Sequence, residues 1–342
     1  MRVFGTGSFF CSRHMKVFFK FSNLRLMVTI FVVTATIVVV IRSLLLIDLI
    51  TSRGFHGIIL IEKNDQVIFK KSTLNENHPQ FLCASLIKQV TSVLILRAVE
   101  RGNIGLHEKA NKYLEEAQKI DDQIEIHHLL SHTSGLQRDN SVKFVPGSDY
   151  EYSNYGYIVL GMILENVKKA SFSDLVQNLF SELNMSDSYL VDAPTLPEIQ
   201  EKHPCFVLSE KAYASSFFYI KKGKEKKFPG NSCGGLISTA ENLSKWNYQL
   251  HNEKILSSDL YKIMIYPQVK ADFPEGYYGY GLCRYSQNEI YHIGYACGYK
   301  STMTYFPKSK ISLIILENNS CDDYEKDFRK HRWIRWLVSW FW

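Results

Sequence analysis

The 342-residue sequence has no disulfide framework or zinc ribbon to read: its seven cysteines are odd in number, irregularly spaced and never form Cys-x-x-Cys. Small buried thiols are the simplest account of them. With 19 glycines and 9 prolines the chain is not collagen-like, and 46% hydrophobic against 22% charged residues excludes a disordered polymer. No internal repeat or low-complexity stretch occurs. Neither a Walker-type nor a dinucleotide-type glycine loop is present, so nucleotide phosphates have no cradle. No cofactor or metal is expected. At this length one large domain or two interlocked lobes can bury a full core without covalent staples, because the buried fraction of surface grows with chain size.

Acidic residues are missing before Asp48. Residues 1–50 hold Arg2, Arg13, Lys16, Lys20, Arg25 and Arg42 against that one acid, so +5 of the formal +6 lies there and +1 in the other 292 residues. A nucleic-acid binder needs a basic stripe across its folded part, so nucleic acid is not expected as a partner. The run Lys221–Lys227 is the local exception, and a solvated loop accounts for it.

Leu26–Ile41 is sixteen residues without a charge, and Ser43–Ile47 extends the run past Arg42. A bilayer core takes about 20 helical residues, and a helix over about 24–47 reaches that length if Arg42 snorkels to the headgroups. The preceding cations put the N-terminus in the cytoplasm and the body on the outer, periplasmic or extracytoplasmic, face. A cleaved signal peptide fits less well, since the apolar stretch exceeds a usual h-region and no small-x-small site follows. A buried core helix fits least, because the run is apolar all round. The expected organisation is a basic tail with a single signal-anchor helix in residues 1–50 and a folded body over 51–342.

In that body, Ile58–Ile61 and Gln66–Phe69 read as strands joined by a polar turn. Leu86, Val90, Val93, Leu94 and Ala98 form a helical stripe over Ser85–Arg101, stopped by Gly102, so Ser85 is expected to begin a helix. Helical patterns recur at Glu108–Ala117, Ile126–Ser131, Tyr155–Val167, Ser173–Phe180 and Ala240–His251. Tyr278–Tyr285, Glu289–Ile293, Ser301–Phe306 and Ile311–Leu316 then read as strands, and 322–342 as a Trp-rich amphipathic helix whose apolar face packs on the sheet. The expected class is α+β, an antiparallel sheet flanked by helices, with N- and C-terminal segments sharing one sheet and a helical lobe over roughly 105–220.

Ser85-Leu86-Ile87-Lys88 is the sharpest chemical feature. One helical turn sets the Lys88 ammonium beside the Ser85 hydroxyl, and an amine whose pKa is lowered by burial can take the proton that makes serine a nucleophile. Tyr152-Ser153-Asn154 precedes the helix from Tyr155, where a phenol near an ammonium should have a lowered pKa and an Asn can hold an amide. His292-Ile293-Gly294 ends a strand, whose edge offers N–H groups to a carbonyl oxygen. Ser-x-x-Lys, Tyr-x-Asn and His-x-Gly each occur once. Each taken alone has an ordinary structural explanation: an N-cap, turn residues, a satisfied strand histidine.

Taken together in this order, they resemble the class C β-lactamase-like and penicillin-binding serine hydrolase family. The segments Ile126–Leu136, Val145-Pro146-Gly147, Gly234–Ala240 with Trp246, and Tyr278–Leu282 resemble other stretches of that family, so the likeness runs from about Gly54 to Asn318. It implies a β-lactamase/transpeptidase-like fold in which Ser85 is acylated and Lys88 is its base or proton relay. Tyr152 would protonate the leaving group and activate water, and Asn154 would bind a substrate amide. His292 and Gly294 fall on the third motif, and the N–H groups of Ser85 and Tyr295 would form the oxyanion hole. Many members carry Lys-Thr-Gly where this chain has His-Ile-Gly, which favours an ester or amide of less anionic character over a β-lactam.

Two other motifs are accidental on this reading. Gly230–Gly234 spells Gly-x-Ser-x-Gly, but the Lys-rich segment before it cannot form the buried strand a nucleophile elbow needs. His128 and His132 are four apart, but Leu129 stands where a metalloprotease has Glu. The expected function is a membrane-anchored serine hydrolase acting on a peptide, amide or ester. The alternative is a weak or silent relative that senses a ligand or scaffolds an assembly, and nothing about a scaffold requires Lys88 beside Ser85.

Overall fold

The computed structural model describes residues 54–342 apart from 194, 210–219, 223, 224, 228, 229, 273, 320–323 and 342, and, nearer the N-terminus, residues 24, 26–34, 36–38, 40, 41 and 44. Met1–Gly54 and Phe55–Trp342 are separate compact units. The described N-terminal residues are helical and exposed. The basic tail and the rest of the expected 24–47 span lie outside the described residues, among which no helix is long and apolar enough to cross a membrane.

The hairpin at the start of the second unit comprises β1 (Gly57–Lys63) and β2 (Gln66–Ser72). Asn64 and Asp65 form its two-residue turn with φ of 51° and 65°, the left-handed pair whose twist suits a tight hairpin. β1 reads GIILI because neither of its faces meets water. It lies between β2 and the late strand β13 (Ile311–Glu317), with Ile58 opposite Leu316 and Ile61 opposite Leu313. The N- and C-terminal segments of this unit therefore do share one sheet, eight antiparallel strands in the order β2-β1-β13-β12-β11-β10-β9-β8. Within it, β8 is Val269–Ala271, β9 Gly276–Tyr278, β10 Cys283–Ser286, β11 Glu289–Ala296 and β12 Tyr299–Phe306.

Helices cover both faces. On β13, Ser312 is bonded by Ser244 and Asn247 of helix Ala240–His251, whereas Glu317 is bonded by His331 of helix Tyr324–Phe341. Positions five apart point to opposite sides of a strand, so the two helices sandwich the sheet. A smaller sheet joins β3 (Phe81–Ala84), β7 (Leu236–Ser238) and β4 (Tyr189–Leu190). Ile87–Glu100 is the central helix, buried at ten positions that go right round its axis, so it is a core helix rather than a one-faced one. Residues 126–202 supply four further helices between β3 and β7.

Three expectations need correction. Glu108–Ala117 is two short 3-10 turns, because Ala110 N–H bonds Ile124 O and the Asn111 side chain bonds Ile120, so the segment's polar groups are satisfied across the loop. Tyr278–Tyr285 is two strands, broken where Tyr280 N–H leaves the ladder for Met264 O. The central helix begins at Ile87, not Ser85.

Candidate active site

The site starts from that last difference. β3 is a fully buried strand, and the chain must turn from it into the central helix within two residues. Ala84 takes a left-handed φ of 47°, unusual for a residue with a Cβ, and Ser85 and Leu86 make the turn. Leu86 N–H bonds Cys83 O at 3.2 Å and Lys88 N–H bonds Ser85 O at 3.1 Å. Ser85 is thereby half-exposed among fully buried neighbours, with Lys88 one turn along.

Lys88 is fully buried. Its Nζ lies 3.0 Å from Ser85 Oγ, 2.8 Å from Asn154 Oδ1 and 2.6 Å from the Cys233 carbonyl oxygen. Burial lowers its pKa to about 8, against the smaller opposing influence of Cys233. The two carbonyl oxygens can only accept, so a neutral amine gives them its two N–H bonds and is left with one lone pair, aimed at the serine hydroxyl.

Tyr152 and Asn154 reach Ser85 because helix Asn154–Lys168 is capped in place. The Ser153 hydroxyl accepts from Gly156 N–H at 3.1 Å and donates to Leu136 O, while Ser153 N–H bonds Nδ1 of His132 at 3.1 Å. The Tyr152 phenol hydrogen-bonds Ser85, and Lys88 Nζ lies 4.9 Å from the centre of its ring. Burial raises the phenol's pKa well above 10, against the lowering expected beside an ammonium. Here the loss of water outweighs the lowering influence of the Ser85 hydrogen bond, so the phenol stays protonated across the ordinary pH range.

The third motif lies on β11. Gly294 has no room for a side chain: an added Cβ would overlap the Cys83 carbonyl oxygen and Ser301 Oγ. Its absence lets β11 press against the end of β3, directly before Ser85. His292, expected to bind substrate, is fully buried. Its Nδ1 donates to Ile293 O at 2.8 Å, so in the neutral ring Nε2 is the acceptor and Tyr278 O–H donates to it at 2.9 Å. Burial, with Lys88 adding to it, depresses this pKa to about 3. The imidazole thus has both nitrogens engaged and builds the wall behind the site. Tyr295 is half-buried beside Phe328, with its backbone opposite Lys300.

Ser85, Lys88, Tyr152 and Asn154 are therefore brought to one point, while Gly294 acts through its close approach and His292 through Tyr278. Two participants had no legible signal of their own. Cys233 contributes only a carbonyl, from the short helix Asn231–Gly234 that contains the accidental Gly-x-Ser-x-Gly match. Its Ser232 is buried, with its carbonyl taken by Thr91 Oγ1. The second is His132, buried, with its ring 4.3 Å from that of Tyr152 and 4.6 Å from that of Tyr278. It belongs to the 126–136 segment but not to any nucleophile-base spacing. A cavity of about 1270 Å³ elsewhere, lined by Tyr285, Tyr291, Phe328, Trp333 and Trp336, includes none of the groups around Ser85.

The fold and this cluster have counterparts. Penicillin-binding protein 4* of Bacillus subtilis (strain 168) is 22% identical over 329 residues, covering 81% of this chain and 71% of that protein. Other curated relatives match over only 31% to 54% of their own length. Among solved structures, a penicillin binding protein from Bacillus halodurans has a TM-score of 0.68 at 22% identity, covering 86% of this chain and 98% of that one. D-amino acid amidase from Ochrobactrum anthropi SV3 has a TM-score of 0.62 at 20% identity, covering 84% and 95%. Residues 46–334 match the family described as Beta-lactamase, which takes in the large sheet and every group gathered around Ser85. Since that match covers most of the chain, the protein belongs to the beta-lactamase family of serine hydrolases.

Proposed function

We propose that this chain hydrolyses an amide, ester or peptide through an acyl-enzyme on Ser85. The observation that carries the reading is the set of contacts around Lys88, which leaves a neutral amine one lone pair facing the Ser85 hydroxyl. In the forward step Ser85 Oγ attacks the substrate carbonyl carbon as its proton passes to Lys88 Nζ. The N–H groups of Ser85 and Tyr295 hold the resulting oxyanion. As the tetrahedral intermediate collapses, the bond to the leaving group breaks. That group takes a proton from the Tyr152 phenol, which is resupplied from Lys88. Water then attacks the acyl carbon, giving up its proton along the same path, and Ser85 leaves with it. Asn154 positions the substrate amide with the end of its side chain that Lys88 does not use.

His292 is neutral at physiological pH and buried, so the third motif carries no cation for a substrate carboxylate. This favours substrates uncharged at that end. Two structures of similar fold carry amidohydrolase or amidase names, in keeping with an amide or ester. We further propose that the apolar run in residues 24–47 anchors the chain, with the catalytic unit on the outer face. Support comes from sixteen uncharged residues in succession and from the cations before them.

Intact-mass measurement after exposure to a fluorescent penicillin, a chromogenic ester and a D-amino acid amide tests the chemistry, beside Ser85→Ala. Turnover that needs Ser85 supports the hydrolase. A stable Ser85-dependent adduct points instead to a ligand sensor, and absence of any reaction with every acyl donor to a scaffold. For the anchor, recovery of the chain in the soluble fraction of its own cells overturns the reading.

A further inference from the structure

Outside the Ser85 cluster, one group of metal-ligating side chains stands ready-made among the described residues. His107, Glu125 and His127 each offer one donor atom, and these atoms lie within 4.8 Å of one another. Glu125 Oε2 is 3.1 Å from His127 Nε2 and 3.7 Å from His107 Nδ1. We infer that these three residues form a binding site for a divalent transition-metal ion of the zinc class, with solvent as the fourth ligand.

The distances carry the argument. Around a tetrahedral zinc ion with bonds of about 2.0–2.1 Å, neighbouring donors stand roughly 3.3 Å apart. Two of the three separations already bracket that value. The segments bearing the donors are also fixed to each other by backbone, since His127 N–H bonds Leu106 O at 2.9 Å and Ile126 N–H bonds Glu108 O at 3.2 Å. A bridge pairs Lys109 with Glu125. Glu125 is held further by the capping box of helix Ile126–Leu130, in which His128 Nδ1 accepts from Glu125 N–H. Lys109 Nζ takes the other carboxylate oxygen, Oε1, at 3.0 Å, so Oε2 is the one turned to the imidazoles.

Two imidazoles and one carboxylate suit zinc, copper or nickel and disfavour calcium and magnesium, which take oxygen ligands. His107 is 78% exposed, so the side open to water is on the surface. The ammonium of Lys109 opposes the incoming charge and sets the affinity below that of a structural zinc site. An ion held there would brace the start of a helix whose next turn is fixed by Ser131 N–H and Oγ on His127 O, immediately before His132.

The test is calorimetric titration of the chelator-stripped full chain with zinc chloride, beside His107→Ala and Glu125→Gln. Cobalt(II) absorption reports the geometry. The expected result is one zinc site in the wild type with tetrahedral cobalt bands. Affinity should fall at least tenfold in His107→Ala, whose zinc-free melting temperature should stay unchanged because that side chain is exposed. Magnesium and calcium should not compete. Wild-type affinity and stoichiometry in both variants, or no zinc site in the wild type, overturns the assignment.

Discussion

If Lys88 is the base, acylation must follow its titration. The fall from an ordinary 10.5 to about 8 amounts to ~3 kcal/mol of preference for the neutral amine over the ammonium, the cost of burying that charge. About a tenth of the protein then has a neutral Lys88 at pH 7 and roughly a hundredth at pH 6, so acylation should rise about tenfold between them and level off above roughly pH 9. Tyr152, held well above 10 by burial, adds no second limb below that pH. The same shift acts on stability. Because the folded pKa lies below the unfolded one, the neutral form's contribution is complete above 10.5 and is lost as pH falls through about 8. Stopped-flow acylation with an uncharged ester from pH 5.5 to 10, and denaturant melts over pH 7 to 10.5, measure both limbs. A flat acylation profile, or a midpoint near 10, refutes the assignment of Lys88. Lys88→Met should abolish acylation yet remain folded at pH 7, since it also removes the buried charge.

Other residues give independent checks. Gly294→Ala should cost ~3 kcal/mol and stop acylation, because its Cβ would meet the Cys83 carbonyl and force β11 away from Ser85; a wild-type melt and acylation rate would count against the close approach. Glu317 is buried with Lys300 and Lys330 each at 3.2 Å and His331 at 2.8 Å. Burial would raise its pKa, but the His331 hydrogen bond and the surrounding cations outweigh that and bring it to about 2. Its stabilising contribution is therefore present above pH 4.5 and disappears as pH drops through about 2. Glu317→Gln should destabilise by about 3–5 kcal/mol at pH 7, read by chemical denaturation; a loss below 1 kcal/mol would show the charges to be solvated. At Ala84, φ of 47° predicts that Val costs ~2 kcal/mol or more while Gly stays within about 1 kcal/mol of wild type; equal melts for the two variants would remove the case for strain.

The sequence by itself determined much of this protein. Short continuous apolar runs such as GIILI and ISLIILE, rich in Ile and bounded by turn signals, read as strands, and their apolar content on both faces suits a doubly covered sheet. Ser85 and Lys88 were legible because one helical turn makes their spacing meaningful, and Tyr152 and Asn154 because the three short motifs in this order resemble those of the family. Tertiary structure decided what depends on contacts between distant residues. Glu108–Ala117 has a helical pattern, yet its backbone bonds Ile124 instead, and no local signal records such a partner. Cys233 matters through a peptide oxygen that every residue possesses, so its identity cannot announce it. The raised pKa of Tyr152 and the enclosure of His292 likewise follow from burial, a property of the whole packed body rather than of neighbours in sequence.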